Sequence, residues 1–182
     1  MGDEGGDART ANLLGAYALR ATTAMTDALG AGSDAAALIA LLNFAGGQEP
    51  LRRALALSQP GTVHVVDRLV ANGLAARAPS PADRRRVQVS LTARGRRAAR
   101  RLLAARERAL TSDLDHALDA QERVQLTGLL EKLLAAATDG RDQARRICRL
   151  CDTRACGHPR RCPVTRAAAA CAGSGSAASA RR

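Results

Sequence analysis

The chain reads as a series of amphipathic helices interrupted once by a short alternating stretch. Leu14, Ala18, Ala21, Met25 and Leu29 recur at helical spacing, with Leu13 and Tyr17 beside them, and predict a helix over 10–29. Gly30 and Gly32 stop it. Ser33 or Asp34 caps a second helix with an apolar face of Leu38, Leu41, Leu42 and Ala45, closed by Gly46 and Gly47. Pro50 suits the first turn of a short third helix carrying Leu51, Ala54, Leu55 and Leu57. After Ser58 a fourth helix starts near Gln59 and Pro60 and runs to Asn72. Val63, Val66, Leu69 and Val70 form its expected buried stripe, with Thr62, His64, Val65 and Arg68 on other faces. Gly73 reads as the residue just past its end, and Leu74 as the hydrophobic contact that follows.

Then the period changes. Residues 75–78 predict a short strand, 79–86 a turn, and Val87, Val89 and Leu91 alternate with Gln88 and Ser90 as a second strand with one buried face. Thr92 caps a long helix to about His116, with Ala99, Leu102, Leu103, Leu110 and Leu114 apolar. Asp119 and Glu122 have capping-box spacing and open a last helix bearing Val124, Leu126, Leu129, Leu130, Leu133, Leu134 and Ala137. That apolar band is wider than one small partner needs. Together with the first helix it predicts a helical dimerisation frame and a homodimer. The fold class is mainly α with a small β-hairpin wing. A short turn between the third and fourth helices makes a helix-turn-helix candidate.

Composition narrows the function. Phe44 and Tyr17 are the only aromatic residues, so stacking platforms for single-stranded nucleic acid are excluded and the core must be Leu, Val and Ala. The net charge is +11 and comes almost wholly from arginine. Between Arg77 and Arg101, Asp83 is the one acidic residue, and the arginines cluster on the hairpin turn and the helix after it. This is an electrostatic footprint for phosphates. No apolar run reaches the roughly 18 residues of a membrane span, and the acidic residues 1–9 do not resemble a signal peptide. A cytoplasmic protein with no membrane partner is expected.

Two stretches carry a family resemblance. GLAARAPSPADRRRVQVSLTARGRR resembles the wing of the MarR family of bacterial transcription regulators, through Gly73-Leu74, Asp83-Arg84-Arg85, Leu91-Thr92 and Gly95. SQPGTVHVVDRLVANGL resembles that family's recognition helix, with His64 and Val65 departing from its usual small polar side chains. The resemblance covers 10–138 and is sharpest over 58–95. It implies a winged helix-turn-helix with its DNA-reading part at 34–92 and dimerisation helices at 10–30 and 93–138.

A MarR-like head places the fourth helix in the major groove of double-stranded DNA. Ser58, Gln59 and Thr62 then donate to phosphates, while Gln59, His64 and Arg68 are the side chains able to read bases. Arg84, Arg85 and Arg86 flank the helix, and Arg85, by the family match, enters the minor groove. Asp83 orients a neighbouring arginine. A two-fold dimer reads a pseudo-palindromic operator with half-sites about one helical turn apart. The family's small-molecule effectors point to no specific site in this chain.

The remainder falls outside that pattern. Residues 139–172 form a Cys-rich segment and 173–182 a Gly/Ser/Ala tail expected to be disordered, like residues 1–9. Cys148-x2-Cys151-x4-Cys156-x5-Cys162 brings four thiols into a short span, with His158 as a further ligand candidate and Cys171 as a bystander. Four cysteines suit a zinc ion or an iron–sulfur cluster, and redox thiols without metal are the third alternative. An event at this segment, adjoining a dimerisation helix, would alter the spacing of the reading heads. The second functional reading is a metal- or redox-handling interaction protein whose helical domain serves protein contacts only. The Arg84-Arg85-Arg86 turn argues against it. No nucleophile–base pair, phosphate loop or paired carboxylate stands at catalytic spacing, so an enzyme is not expected.

Overall fold

The computed structural model describes residues 4–30, 32–44, 46–80 and 87–179. Eight helices and three strands occur among them: α1 (Glu4–Leu29), α2 (Ser33–Asn43), β1 (Gly46–Gly47), α3 (Gln48–Leu55), α4 (Gln59–Ala71), β2 (Ala75–Pro79), β3 (Val87–Leu91), α5 (Ala93–Ala117), α6 (Ala120–Ala136), α7 (Arg141–Ile147) and α8 (Pro163–Ser179). A 3-10 turn, Cys148–Leu150, follows α7.

The winged-helix head is built from α2 to β3 and closed by α5. Its core joins Leu38 and Leu41 of α2, Leu51 of α3, Val65, Val66 and Leu69 of α4, Val89 and Leu91 of β3, and Ala99 of α5. Caps mark the helix starts as the sequence predicts. Ser58 Oγ accepts from Gly61 N, Thr92 Oγ1 accepts from Gly95 N, and Asp119 and Glu122 close a reciprocal capping box. The α2 start differs: its cap is Gly32, with no side-chain hydrogen bond.

The sheet has the order β1-β3-β2, antiparallel throughout. The pair Gly46–Gly47, read in the sequence only as a helix stop, pairs with Val89 and Gln88. This ties the end of α2 directly to the wing. Another tie sits at the opposite end of β3. Thr92 N donates to Leu74 O, and Thr92 Oγ1 donates to Gly73 O. Gly95 lies beneath the same turn, where a Cβ would stand 1.8 Å from Leu74 O. The three motif fragments Gly73-Leu74, Leu91-Thr92 and Gly95 are therefore one joint in space.

Three other expectations are corrected. The α1 helix begins at Glu4 rather than Thr10, so most of the stretch 1–9 is helical and only its first three residues lie outside the described ones. The Ala-rich end of the chain continues α8 to Ser179 instead of breaking at Gly173, in line with alanine's helix propensity; the last three residues are outside the described ones. The buried stripe of α4 is Thr62, Val65, Val66 and Leu69, while Val63 and Val70 are half-buried. Thr62 and Val65 complete an i, i+3, i+4, i+7 face.

The α1 helix packs along α5, and α8 along α6. Yet α6 buries none of its residues, and Leu13, Leu14, Tyr17 and Leu19 of α1 are exposed with Val124, Leu129, Leu130, Leu133 and Leu134 of α6. No single helix among the described residues is long and apolar enough to cross a membrane.

Candidate nucleic-acid interface and thiol cluster

The α4 helix is held between α3 and the wing, and one face is left open. Gln59, Pro60, Val63, His64 and Asp67 line a shallow surface there. Ser58, Gln59 and His64 are exposed, as the groove-facing reading requires. Ser58 Oγ accepts from the helix, which leaves its O–H proton available to a phosphate. The helix N-terminus adds its own partial positive charge.

One of the predicted DNA contacts, Thr62, is corrected, and another, Arg68, is engaged in an ion pair. Thr62 is 2 % exposed, and its hydroxyl donates to Ser58 O at 3.0 Å, so it is a core residue that cannot reach DNA. Its methyl group packs inward and its hydroxyl is satisfied by its own helix. Arg68 is held by a two-pronged ion pair to Asp34 of α2, with Nε donating to Oδ2 at 3.2 Å and Nη2 to Oδ1. The hydrogen bond to Asp34 raises the pKa of Arg68 further. A pair this exposed adds little to stability, because solvent screens it. Its effect is directional: it holds the Arg68 guanidinium against Asp34 of α2.

The structure adds residues that periodicity did not single out. Asp67 lies on the open face and accepts from Arg77 Nη2 of β2 at 2.6 Å. That pair binds α4 to β2, and Asp67 is a hydrogen-bond acceptor beside His64. An acidic residue on a reading helix gives no signal in a search for cations. Arg96 is likewise committed, donating to Leu91 O at 2.7 Å, whereas Arg94, Arg97, Arg100 and Arg101 are exposed on the first turns of α5. Asp83, Arg84, Arg85 and Arg86 lie outside the described residues.

The Cys-rich segment docks on the back of this head. Cys148, Cys151, Cys156 and Cys162 all line one cavity, with Phe44, Arg141, Arg145, His158 and Thr165 among the other wall residues. Cys148 and Cys162 are buried, Cys151 and Cys156 half-buried. The thiols influence one another's ionisation in two pairs, Cys148 with Cys151 and Cys156 with Cys162. In each pair one thiol titrates low and its partner high. Cys151 is drawn down to about 7 by the hydrogen bond from Cys148 and by the charges of Arg106 and Arg149. Cys148 is pushed up by that same hydrogen bond and by burial. Burial and Cys162 push Cys156 up to about 12. Burial opposes ionisation of Cys162, but hydrogen bonds from Thr165, Cys156 and the Val164 N–H outweigh it and lower its pKa. The start of α8 thus supplies donors to a thiolate.

His158 hydrogen-bonds through Nδ1 to Thr165 Oγ1 at 2.9 Å. Cys171 sits apart on α8, its Sγ donating to Thr138 O at 3.8 Å. Among the described residues no group of three or more His, Cys, Asp or Glu side chains converges on a single-ion position.

Asn43, the last residue of α2, links the two regions. Its Nδ2 donates to Cys151 O at 2.7 Å, and its Oδ1 accepts from Thr153 Oγ1 at 3.0 Å. Phe44, the next residue, packs against both the winged-helix core and the cluster around Cys148 and Cys162.

No protein-family profile matches the chain, and no curated protein matches it at a significant level. Solved structures do. A probable transcriptional regulator from Pseudomonas aeruginosa is 33% identical, over 66% of this chain and 93% of its own, with a TM-score of 0.50. BpsR of Bordetella bronchiseptica, whose DNA binding is regulated by 6-hydroxynicotinic acid, is 27% identical over 68% of this chain and 91% of its own, with a TM-score of 0.52. A MarR family protein from Bacillus stearothermophilus is 25% identical over 73% of this chain and 96% of its own, with a TM-score of 0.64.

Proposed function

Because this chain belongs to the MarR family of winged helix-turn-helix transcription regulators, we propose that it binds double-stranded DNA in a sequence-specific way as a homodimer. The observation that carries this is the open face of α4, with Gln59, His64 and Asp67 presented and the helix braced by Ser58, Asp34–Arg68 and Asp67–Arg77. Gln59, His64 and Asp67 offer donors and acceptors to base edges, Ser58 and the helix N-terminus hold a phosphate, and Arg84, Arg85 and Arg86 flank the groove. The exposed apolar faces of α1 and α6 are covered by a second copy, which doubles the reading head on a pseudo-palindromic operator.

Replacing Arg84 and Arg85 together by Ala will weaken operator binding and flatten its dependence on salt, because fewer counterions are released. Fluorescence anisotropy at several salt concentrations measures both. Unchanged affinity and slope would remove the wing from the interface.

A metal or redox event at the cysteine segment modulates this binding. The support is the Asn43–Phe44 link, which joins the cysteine cavity to the end of α2 and, through Gly46–Gly47, to β3 of the wing. DNA affinity of anaerobically prepared and oxidised protein will differ several-fold, and Asn43→Ala will narrow that difference. Identical affinities in the parent protein make the segment structural only.

A further inference from the structure

The cavity walled by the four cysteines is much larger than one ion requires. A structural zinc ion draws four thiolates to about 2.3 Å, and the sulfurs close around it. Here the cavity has a volume of about 240 Å3. One water needs only roughly 10–15 Å3 of such space. All four cysteines stand on its wall.

The wall suits a bulky anionic group. Phe44, Ala144 and Ala168 make much of it apolar, and Arg141 and Arg145 bring positive charge to it. Arg106 acts by charge on Cys151, and its buried Nε has no hydrogen-bond partner among the described residues. Cys162 immediately precedes α8, so the N-terminal end of that helix lies beside its thiolate.

The segment 148–162 is also shaped in advance. Asp152 Oδ1 accepts from the backbone N–H of Arg154, between the second and third cysteines. Gly157, at a φ of +68°, turns the chain between the third and fourth, where a Cβ would stand 2.7 Å from Arg161 Cβ. Asn43 holds the Cys151 carbonyl from the head.

We propose that Cys148, Cys151, Cys156 and Cys162 ligate an iron–sulfur cluster of the four-iron, four-sulfide class in this cavity. This deepens the modulation reading above by naming the group that the segment carries, and the ligation itself is independent of DNA binding. Its four thiolates are neutralised in part by Arg106, Arg141 and Arg145. The half-buried Cys151 and Cys156 leave the centre reachable by small oxidants.

The test uses the full chain, reconstituted without oxygen from equal amounts of ferrous and ferric iron with inorganic sulfide, with a parallel sample given zinc alone. The expected result is a brown protein with about four iron and four acid-labile sulfide per chain. Ser in place of any one of the four cysteines will lower bound iron by more than half. Cys171→Ser and His158→Ala will retain it. Far-UV circular dichroism shows which variants keep their helices, and the retained iron of Cys171→Ser and His158→Ala controls for nonspecific thiol loading. One zinc per chain with no uptake of iron and sulfide overturns the proposal, as does uptake of neither with formation of disulfides. Cluster content is read without DNA, so a protein that loads the cluster but ignores DNA refutes the regulator reading alone.

Discussion

Gly95→Ala will unfold the winged-helix head or leave it severely destabilised. Gly95 sits in the first turn of α5, directly under the Gly73-Leu74 turn that ends α4. A Cβ there would stand 1.8 Å from Leu74 O and 2.8 Å from Leu74 C. Both are backbone atoms, so no side-chain rotation relieves the clash. Leu74 O also accepts from Thr92 N, and Thr92 Oγ1 bonds Gly73 O while capping α5. Moving the turn away would break these hydrogen bonds together and separate α5 from the hairpin. A loss above about 4 kcal/mol is expected, in the range reached only by a specific structural failure. Urea or thermal denaturation followed by circular dichroism measures it. A loss under about 1 kcal/mol would mean that the joint yields, and that Gly95 is there for another reason.

The second large effect concerns the dimer. Leu129 and Leu133 lie one helical turn apart on α6, each more than half exposed, on a helix that buries none of its residues in the single chain. Carboxylates at both positions cost the monomer little, since more than half of each side chain already faces solvent in the single chain. In a homodimer the same carboxylates would be forced into an apolar interface without partners. Leu129→Asp combined with Leu133→Asp will therefore give a folded monomer in sedimentation. Operator affinity will fall by about 100-fold or more, because the second head no longer binds as a tethered partner. A variant that stays dimeric locates the interface elsewhere. A monomer with unchanged affinity would end the two-headed account.

These expectations draw unequally on sequence and structure. Helix caps at Ser58, Thr92 and Asp119 were legible because each is a contact over three residues. The stripe of α4 was only half legible. Thr62 was counted as polar, yet its hydroxyl is satisfied by Ser58 O within the same helix and its methyl enters the core. Arg68 read as a base contact because a cation on a recognition helix has no visible partner in sequence. Its partner, Asp34, is 34 residues away.

The sequence by itself determined the order of the first six helices and the two hairpin strands, the family and the existence of a four-thiol segment. Local rules suffice for these: apolar period, capping side chains, turn residues and cysteine spacing. Only the tertiary structure decided which faces are open and where the thiols go. It buried Thr62, turned Arg68 toward Asp34, and used Gly46–Gly47 as a strand on the wing. It also brought Cys151 to Asn43, 108 residues apart, so that the tail and the reading head share Phe44. Such pairings depend on distances between elements far apart in the chain, and no periodicity within either element records them.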